Sequence, residues 1–428
     1  GRRQKGERLM KTRALRLYGK NDLRLEEFEL PAIRDDEILA KVVSDSLCMS
    51  SYKAVIQGAD HKRVPKDIGR NPVMVGHEFC GELVEVGKEW QGQYRAGDRF
   101  VIQPALNYKG TIDAPGYSFP HIGGCATYII IPRQVMEIGC LLPYKADAFF
   151  YGSLSEPMSC VIGSFRELFH VTPGIHEHKM GLKEGGALLI LAGAGPMGLG
   201  AADFAVHNAR KPARVVVTDI NPQRLARAES LLPPAEAAKH GVELRYVDTS
   251  GVADAAAYLK SLNGGRGYDD VLVMAPVKPV AELADQVLGT DGCLSFFAGP
   301  TDTAFTAGVN YYNVHYNGTH MIGTVGGNAA DMAESIEMVE KGLINPAAMV
   351  THIGGLDAAR EATLHLPEIP GGKKLIYTQI SLELTALSEL AEKGKTNPLF
   401  AKLAEITGRH NGLWCAEAER YLLEHVLH

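Results

Sequence analysis

The sequence predicts an α/β chain of two domains, a β-rich domain followed by a doubly wound parallel sheet, with a helical C-terminal tail. Three observations carry that expectation. Residues 10–184 consist of short β-rich runs separated by Gly, Pro and Asp turns. From Ala187 onward, continuous apolar runs alternate with helical patterns, as strands buried on both faces do. A Gly193-x-Gly195-x-x-Gly198 turn joins the first of those runs to a helical pattern, and Asp219 follows about 20 residues later.

In the first domain the candidate strands are 38–43, 82–86, 99–102 and 126–131, and no helix longer than a few turns is evident before Ser153. This is the pattern of an antiparallel, partly barrel-like domain. The second domain spans residues 185–325, with strands at 188–191, 215–217, 271–274 and 294–297. Residues 326–380 hold one helical stretch, 331–341, and two strand-like runs near 349–353 and 374–379, and are expected to return to the first domain. In the tail, 381–428, Asn397-Pro398 supplies an N-cap with proline at the first helical position, and Gly394 and Gly408 are stops. Apolar spacing at Leu384, Leu387 and Leu390, and at Trp414, Ala418, Tyr421 and Leu422, predicts amphipathic helices that cover an apolar surface.

Composition narrows the function classes. The 428 residues are 46% hydrophobic and 22% charged, ordinary for a globular protein. No apolar run approaches the roughly 20 residues that cross a bilayer, and no signal peptide is visible, so no membrane association is expected. Residues 1–9, polar and basic, read as an extension outside the fold. With 44 basic against 50 acidic side chains, a net charge of -6 and no long basic run, there is no electrostatic footprint for nucleic acid. The seven cysteines are odd in number, widely spaced and never CxxC, which argues against a disulfide framework and makes the reducing cytoplasm the expected compartment.

Chemistry-bearing residues fall in short pieces. Cys48-Met49-Ser50, Gly76-His77-Glu78 and Ser155-Glu156-Pro157 offer one thiolate, one imidazole and two carboxylates to a single metal ion. Three such ligands with an open fourth position are the layout of a catalytic zinc. Each piece alone also has a plainer reading: a buried small hydrophobe, a turn with a hydrogen-bonded imidazole, and a carboxylate at a helix start. In the stretch Gly193, Gly195, Pro196, Met197 and Gly198, glycines permit a tight turn, and the following helix directs unpaired N–H groups at a pyrophosphate. Asp219 would accept hydrogen bonds from an adenosine ribose and repel a 2′-phosphate, which favours NAD, while Arg224 leaves NADP open. Lys53, Lys62, Arg63 and Lys66 lie close in sequence to Cys48 and are candidate donors to a substrate phosphate, or else a solvated loop of mixed charge. His176 and His178 read as surface residues.

Taken in order, Cys-x-Ser, Gly-His-Glu, Glu-Pro and GxGxxG, together with Gly97-Asp98-Arg99 and the 123–128 segment, resemble the zinc-dependent medium-chain dehydrogenases over residues 10–380. The resemblance implies a GroES-like catalytic domain (10–184 and 326–380) and a Rossmann domain (185–325). It implies zinc bound by Cys48, His77 and one of Glu78 and Glu156, and Ser50 handling the proton of the substrate oxygen. It also implies Lys373 at the cofactor pyrophosphate, with 297–299 and 323–324 against the nicotinamide. Two departures stand out. Ser51 occupies the place of an aspartate that orients the ligating imidazole, so another acceptor is expected there, and residues 103–124 lack the four cysteines of a structural zinc, so one metal per chain is expected. The stretches 46–51, 76–81, 115–120, 296–300 and 314–316 look like the L-sorbose-1-phosphate reductase branch. That likeness implies reduction of a ketose phosphate to a hexitol phosphate with NADH or NADPH, by a homodimer or homotetramer. Two other readings compete: a polyol or alcohol dehydrogenase acting on an unphosphorylated substrate, and a non-catalytic dinucleotide-binding protein. Intact Cys48, Ser50, His77 and Glu156 speak against the last.

Overall fold

The structure is a computed structural model that describes residues 9–426; of the extension read at residues 1–9, all but Leu9 lies outside the described residues. The chain divides into two compact units, Gly1–Pro157 with Asn328–Glu340 and Val350–His428, and Met158–Gly327 with Lys341–Met349.

The first unit is organised around the strand Ile38–Ser46. It pairs antiparallel with Phe79–Val86, Tyr128–Ile131 and Lys373–Tyr377, and the sheet continues through Arg99–Ile102 to Leu141–Pro143 on one side and Val350–Gly355 to Thr385–Ala386 on the other. Ile38, Ala40, Val42, Phe79, Phe100, Ile129 and Ile131 close one core. The strand runs three residues past the expected 38–43 because Ser44, Asp45 and Ser46, polar in sequence, are buried. Burying the two serines is tolerable because they have partners: the Ser44 hydroxyl meets that of Ser153 at 2.7 Å, and Ser46 Oγ donates to Glu78 at 2.5 Å. A three-stranded sheet, Asp22–Glu29, Lys11–Gly19 and Val73–Met74, completes the β-structure at the N-terminal end of the unit.

The second unit holds a six-stranded parallel sheet in the order Glu243–Asp248, Arg214–Asp219, Ala187–Leu191, Tyr268–Val273, Leu288–Phe296, His320–Ile322. This is the doubly wound order that places a ligand crevice at the carboxyl ends of the central strands. The four internal strands are those expected from apolar runs. The two edge strands were not legible, since Glu243–Asp248 carries three charged residues in six and His320–Ile322 is only three residues long.

Three assignments differ from the sequence expectation: residues 158–184 fall in the second unit, residues 341–349 within the expected return segment 326–380 also fall in the second unit, and the tail falls in the first. Residues 158–184 join the second unit rather than the first, because the helix Ser155–Glu167 packs Phe165 edge-on against Phe204 at 5.1 Å and His170 bonds Asp270 at 2.8 Å. The tail, 381–428, belongs to the first unit. Its helices are Leu390–Lys393, Pro398–Gly408, capped by Asn397 Oδ1 on Leu399 N at 3.0 Å, and Ala416–His425. Trp414, buried, donates its indole N–H to Tyr377 Oη at 2.7 Å. The Glu419 carboxylate accepts the backbone N–H groups of Phe149 and Phe150 at 2.7 and 2.9 Å and the Tyr377 hydroxyl at 2.8 Å. Glu419 therefore caps the helix Phe149–Ser153, whose own N-cap, Ala148, has no side-chain acceptor. Among the described residues no helix is long and apolar enough to cross a membrane.

Candidate active site

Cys48 lies just after the central strand and is the N-cap residue of the helix Met49–Gln57, which carries Ser50 and Ser51 on its first turn. His77 and Glu78 precede the neighbouring strand Phe79–Val86. The glycine before them is required: Gly76 has φ +98°, and a Cβ there would stand 2.8 Å from Cys125 N and 3.1 Å from Asp45 Oδ2. Side-chain donors of Cys48, His77 and Glu78 lie within 4.8 Å of one another. Cys48 Sγ is 3.0 Å from Ser50 Oγ, which is 3.4 Å from His77 Nε2.

On the other side of the imidazole, Ser51 Oγ meets His77 Nδ1 at 3.2 Å. The sequence expectation that some other group must replace the missing aspartate is thus corrected: Ser51 itself orients the ring, its hydroxyl reaching the nitrogen from the same helical turn. Tyr117 stacks on His77 at 5.1 Å and on His61 at 5.5 Å, and its phenol hydrogen-bonds Ser50.

Lys373, expected at a pyrophosphate, is found buried with its ammonium on both Glu78 oxygens at 2.8 and 2.9 Å. Its strand explains this placement, because Leu375 pairs with Ser46 and Lys374 O accepts Leu47 N, which sets Lys373 beside the end of the central strand. Burial raises the cost of ionising Glu78, yet Lys373 and then His77 hold its carboxyl below the usual range. Glu156 sits at the start of the helix Ser155–Glu167. Its carboxyl is pushed up to about 7 by burial and by the charge of Glu78. Burial likewise pushes the Cys48 thiol up, and takes the fully buried Asp45, which accepts the Cys125 thiol at 3.2 Å, up to about 8.

These shifts test whether the residues fit a metal ion. Acidic groups are concentrated here against one ammonium, and two of the candidate ligands, Cys48 and Glu156, resist ionisation. A dication would reverse both shifts. One sulfur, one imidazole nitrogen and carboxylate oxygen are a donor set that suits zinc, so the residues present fit it.

In the second unit the glycine loop precedes the helix Pro196–His207, whose N-cap, Gly195, offers no side-chain acceptor to its first N–H groups. A Cβ on Gly198 would collide with the Gly193 carbonyl, so the helix approaches the loop only as glycine allows. Asp219 ends its strand and accepts Ala194 N at 3.2 Å, Ile220 N at 2.8 Å and Asn221 N at 3.0 Å, which draws the loop and the strand end together. Arg224 reaches back to this loop, its guanidinium 3.7 Å from the position of a Gly195 Cβ.

Comparison with known proteins agrees with this geometry. Residues 34–139 match the alcohol dehydrogenase GroES-like domain and residues 196–341 match the zinc-binding dehydrogenase domain. A mannitol-1-phosphate 5-dehydrogenase of Aliivibrio fischeri is 50% identical over 97% of this chain and 98% of its own length. The chain belongs to the zinc-binding dehydrogenase family. It is an oxidoreductase acting on CH–OH groups, built of a GroES-like and a Rossmann-type domain. An L-sorbose 1-phosphate reductase of Klebsiella pneumoniae is 48% identical over 97% of this chain and 98% of its own length. The fold is also that of the 2R,3R-butanediol dehydrogenase of Bacillus subtilis, with a TM-score of 0.68 at 21% identity over 86% of this chain and 99% of that one.

In this dehydrogenase, sequence reasoning passed over Tyr117, Ser46 and Asp45. Tyr117 stood in a stretch recognised only by likeness, and its position between His61 and His77 had no local signal. Ser46 and Asp45 lie on the strand that delivers Cys48, and no alternation marks them, because that strand is buried on both faces.

Proposed function

We propose that this dehydrogenase interconverts a ketose phosphate and a hexitol phosphate, in the manner of L-sorbose 1-phosphate and D-glucitol 6-phosphate, using NADH or NADPH. In the reducing direction the ketone takes a hydride at carbon and a proton at oxygen, and the dinucleotide is oxidised. The mannitol-1-phosphate 5-dehydrogenase and the L-sorbose 1-phosphate reductase, 50% and 48% identical, bear names for sugar-phosphate reactions. The observation that carries the phosphate reading is Arg63. Its Nε is committed to Ile112 O at 3.2 Å, while its guanidinium carbon lies 5.7 Å from the centre of the Tyr117 ring that stacks on His77. A guanidinium packed near the ring that stacks on His77 would offer its two terminal nitrogens to a phosphate in the fork geometry that suits one.

Zinc held by Cys48, His77 and one of Glu78 and Glu156 would supply Lewis acidity at the carbonyl oxygen, and the nicotinamide would supply the hydride. The chain's own residues do the rest. Ser50 Oγ, within reach of Cys48 and His77, donates the proton that the reduced oxygen requires and regains one from solvent, with the Tyr117 phenol as the hydrogen-bond partner that orients its hydroxyl. Ser51 holds the His77 ring in one orientation. Lys373 compensates Glu78, so that the two glutamates are not left as adjacent uncompensated charges. In the second unit, N–H groups at the start of the helix Pro196–His207 bind the dinucleotide pyrophosphate, and Asp219 and Arg224 decide between NAD and NADP.

The test compares NADH and NADPH oxidation with L-sorbose 1-phosphate and with unphosphorylated L-sorbose, alongside oxidation of mannitol 1-phosphate. A kcat/KM at least tenfold higher for a phosphorylated substrate is expected. Equal values with and without phosphate would favour the polyol dehydrogenase reading, and cofactor binding without turnover of any carbonyl or alcohol would overturn the proposed substrates altogether.

A further inference from the structure

We propose that His207, Glu236 and His240, on the second unit and separate from the Cys48 cluster, form a surface site for a transition-metal dication of the zinc class. The helix Pro196–His207 ends at His207, and the short helix Pro234–Lys239 carries Glu236 and is followed by His240 as its C-cap. Each of the three residues brings one donor atom within 4.8 Å of the others. The two rings meet edge to face, 4.5 Å between centres and 79° between planes. His240 Nε2 lies 3.4 Å from Glu236 Oε1, so nitrogen and oxygen already face the same space.

Asp203 makes this more than a chance grouping. One helical turn before His207, its Oδ1 sits 2.8 Å from His207 Nδ1 and its backbone carbonyl 3.0 Å from the same nitrogen. Its other oxygen accepts Asn345 N at 2.8 Å, so the carboxylate is itself held. With two acceptors at Nδ1, the proton belongs there, and the lone pair stands on Nε2. A carboxylate that fixes the tautomer of a histidine in this way is the usual support of a metal-binding imidazole.

The same donor types occur in the same unit at His170, Asp291 and His320, and there the chemistry fails. Both His320 nitrogens face carbonyls, Gly318 O at 2.9 Å and Phe169 O at 2.6 Å, and both His170 nitrogens face acceptors on Asp291 and Asp270. No lone pair is offered to an ion without breaking a bond. At His207 only Nδ1 is so engaged. The competitors at the proposed site are the His240 Nε2–Glu236 Oε1 contact itself, long at 3.4 Å, and Lys239, 3.1 Å from Glu236 Oε2 with 73% of its side chain exposed, and partly exposed pairs of that kind are weak enough to be displaced. Donors around a tetrahedral zinc stand roughly 3.3 Å apart, as bond lengths of about 2.0–2.1 Å require. Small rotations of the half-exposed His240 and Glu236 bring them in from the present spacing, and the fourth position stays open to water.

The test uses the enzyme loaded with zinc and freed of excess metal by gel filtration, then titrated calorimetrically with Zn2+ and, separately, with Ni2+. One further saturable equivalent per chain is expected for each ion, weakened at least tenfold in His240→Ala and in His207→Ala. Cys48→Ala is expected to keep this equivalent, which separates the site from the buried cluster. Should His207→Ala fail to fold, the surface variant His240→Ala decides alone. The absence of any further equivalent in the unaltered enzyme, or wild-type affinity in His240→Ala, would overturn the proposal.

Discussion

Replacing Glu419 by alanine should loosen the catalytic unit from its far end. The carboxylate accepts Phe149 N, Phe150 N and the Tyr377 hydroxyl, all buried, and no side chain near Ala148 substitutes for it at the helix start. Each donor left unsatisfied in a dry environment costs about 1–3 kcal/mol, so the three together cost about 3–9 kcal/mol, a large share of the roughly 5–15 kcal/mol by which a domain is stable. At 2 °C or more per kcal/mol, the melting midpoint should fall by at least about 6 °C. The helix Phe149–Ser153 ends in Ser153, whose carbonyl lies 3.1 Å from Ser46 Oγ, and that hydroxyl donates to Glu78 at 2.5 Å. Loss of the cap should therefore lower zinc retention as well as stability. Differential scanning calorimetry, limited proteolysis of the tail and zinc analysis measure all three. Glu419→Gln, which keeps one acceptor oxygen, should lose less. A midpoint within about 2 °C of the unaltered enzyme and an unchanged proteolysis pattern in Glu419→Ala would refute the reasoning.

The same residue sets a pH trend: burial pushes its carboxyl up to about 7, above the value of about 4.3 in the unfolded chain. The stability contributed by its protonated form is present below about 4.3 and lost as pH rises through about 7, so the wild-type midpoint should fall relative to Glu419→Gln between pH 5 and 8. Arg63→Ala should lower kcat/KM for a phosphorylated ketose about 10- to 30-fold, as loss of a half-exposed charged contact of about 1.5–2 kcal/mol implies, and leave the unphosphorylated sugar nearly unchanged; equal losses on both would remove Arg63 from the phosphate. Ser51→Ala should weaken zinc about 10- to 100-fold by freeing His77 Nδ1, read by chelator competition, and unchanged affinity would deny it that role. Asp219→Gly should raise kcat/KM with NADPH relative to NADH, and Arg224→Ala should lower it; unmoved discrimination in both would place the selectivity elsewhere.

The legible parts of this molecule were those whose signal is local. Continuous apolar runs marked the four inner strands of the parallel sheet, and glycine spacing marked the nucleotide loop, because burial on both faces and close backbone approach each dictate residue type. Asn397-Pro398 opened its helix for the same reason. Edge strands escaped notice where one side meets solvent, as in Glu243–Asp248. The boundary near residue 184 was misplaced because Phe165 and Phe204, 39 positions apart in sequence, pack together without any local mark. In the candidate site, Cys48, His77 and Glu78 were named from short motifs and lie together. The Lys373–Glu78 ion pair spans 295 residues and the Glu419 cap 270, and no sequence window contains either. Ser51 was read as a deficit because an aspartate was expected; only the geometry shows its hydroxyl reaching the imidazole.

The central claim is a single buried zinc that takes sulfur from Cys48 and nitrogen from His77. Zinc-edge X-ray absorption of the purified enzyme, cleared of loosely held metal, tests it directly. The account predicts one sulfur at about 2.3 Å with nitrogen and oxygen neighbours at about 2.0–2.2 Å, and loss of the metal in Cys48→Ala. A spectrum with no sulfur neighbour, or one unchanged in Cys48→Ala, would contradict it.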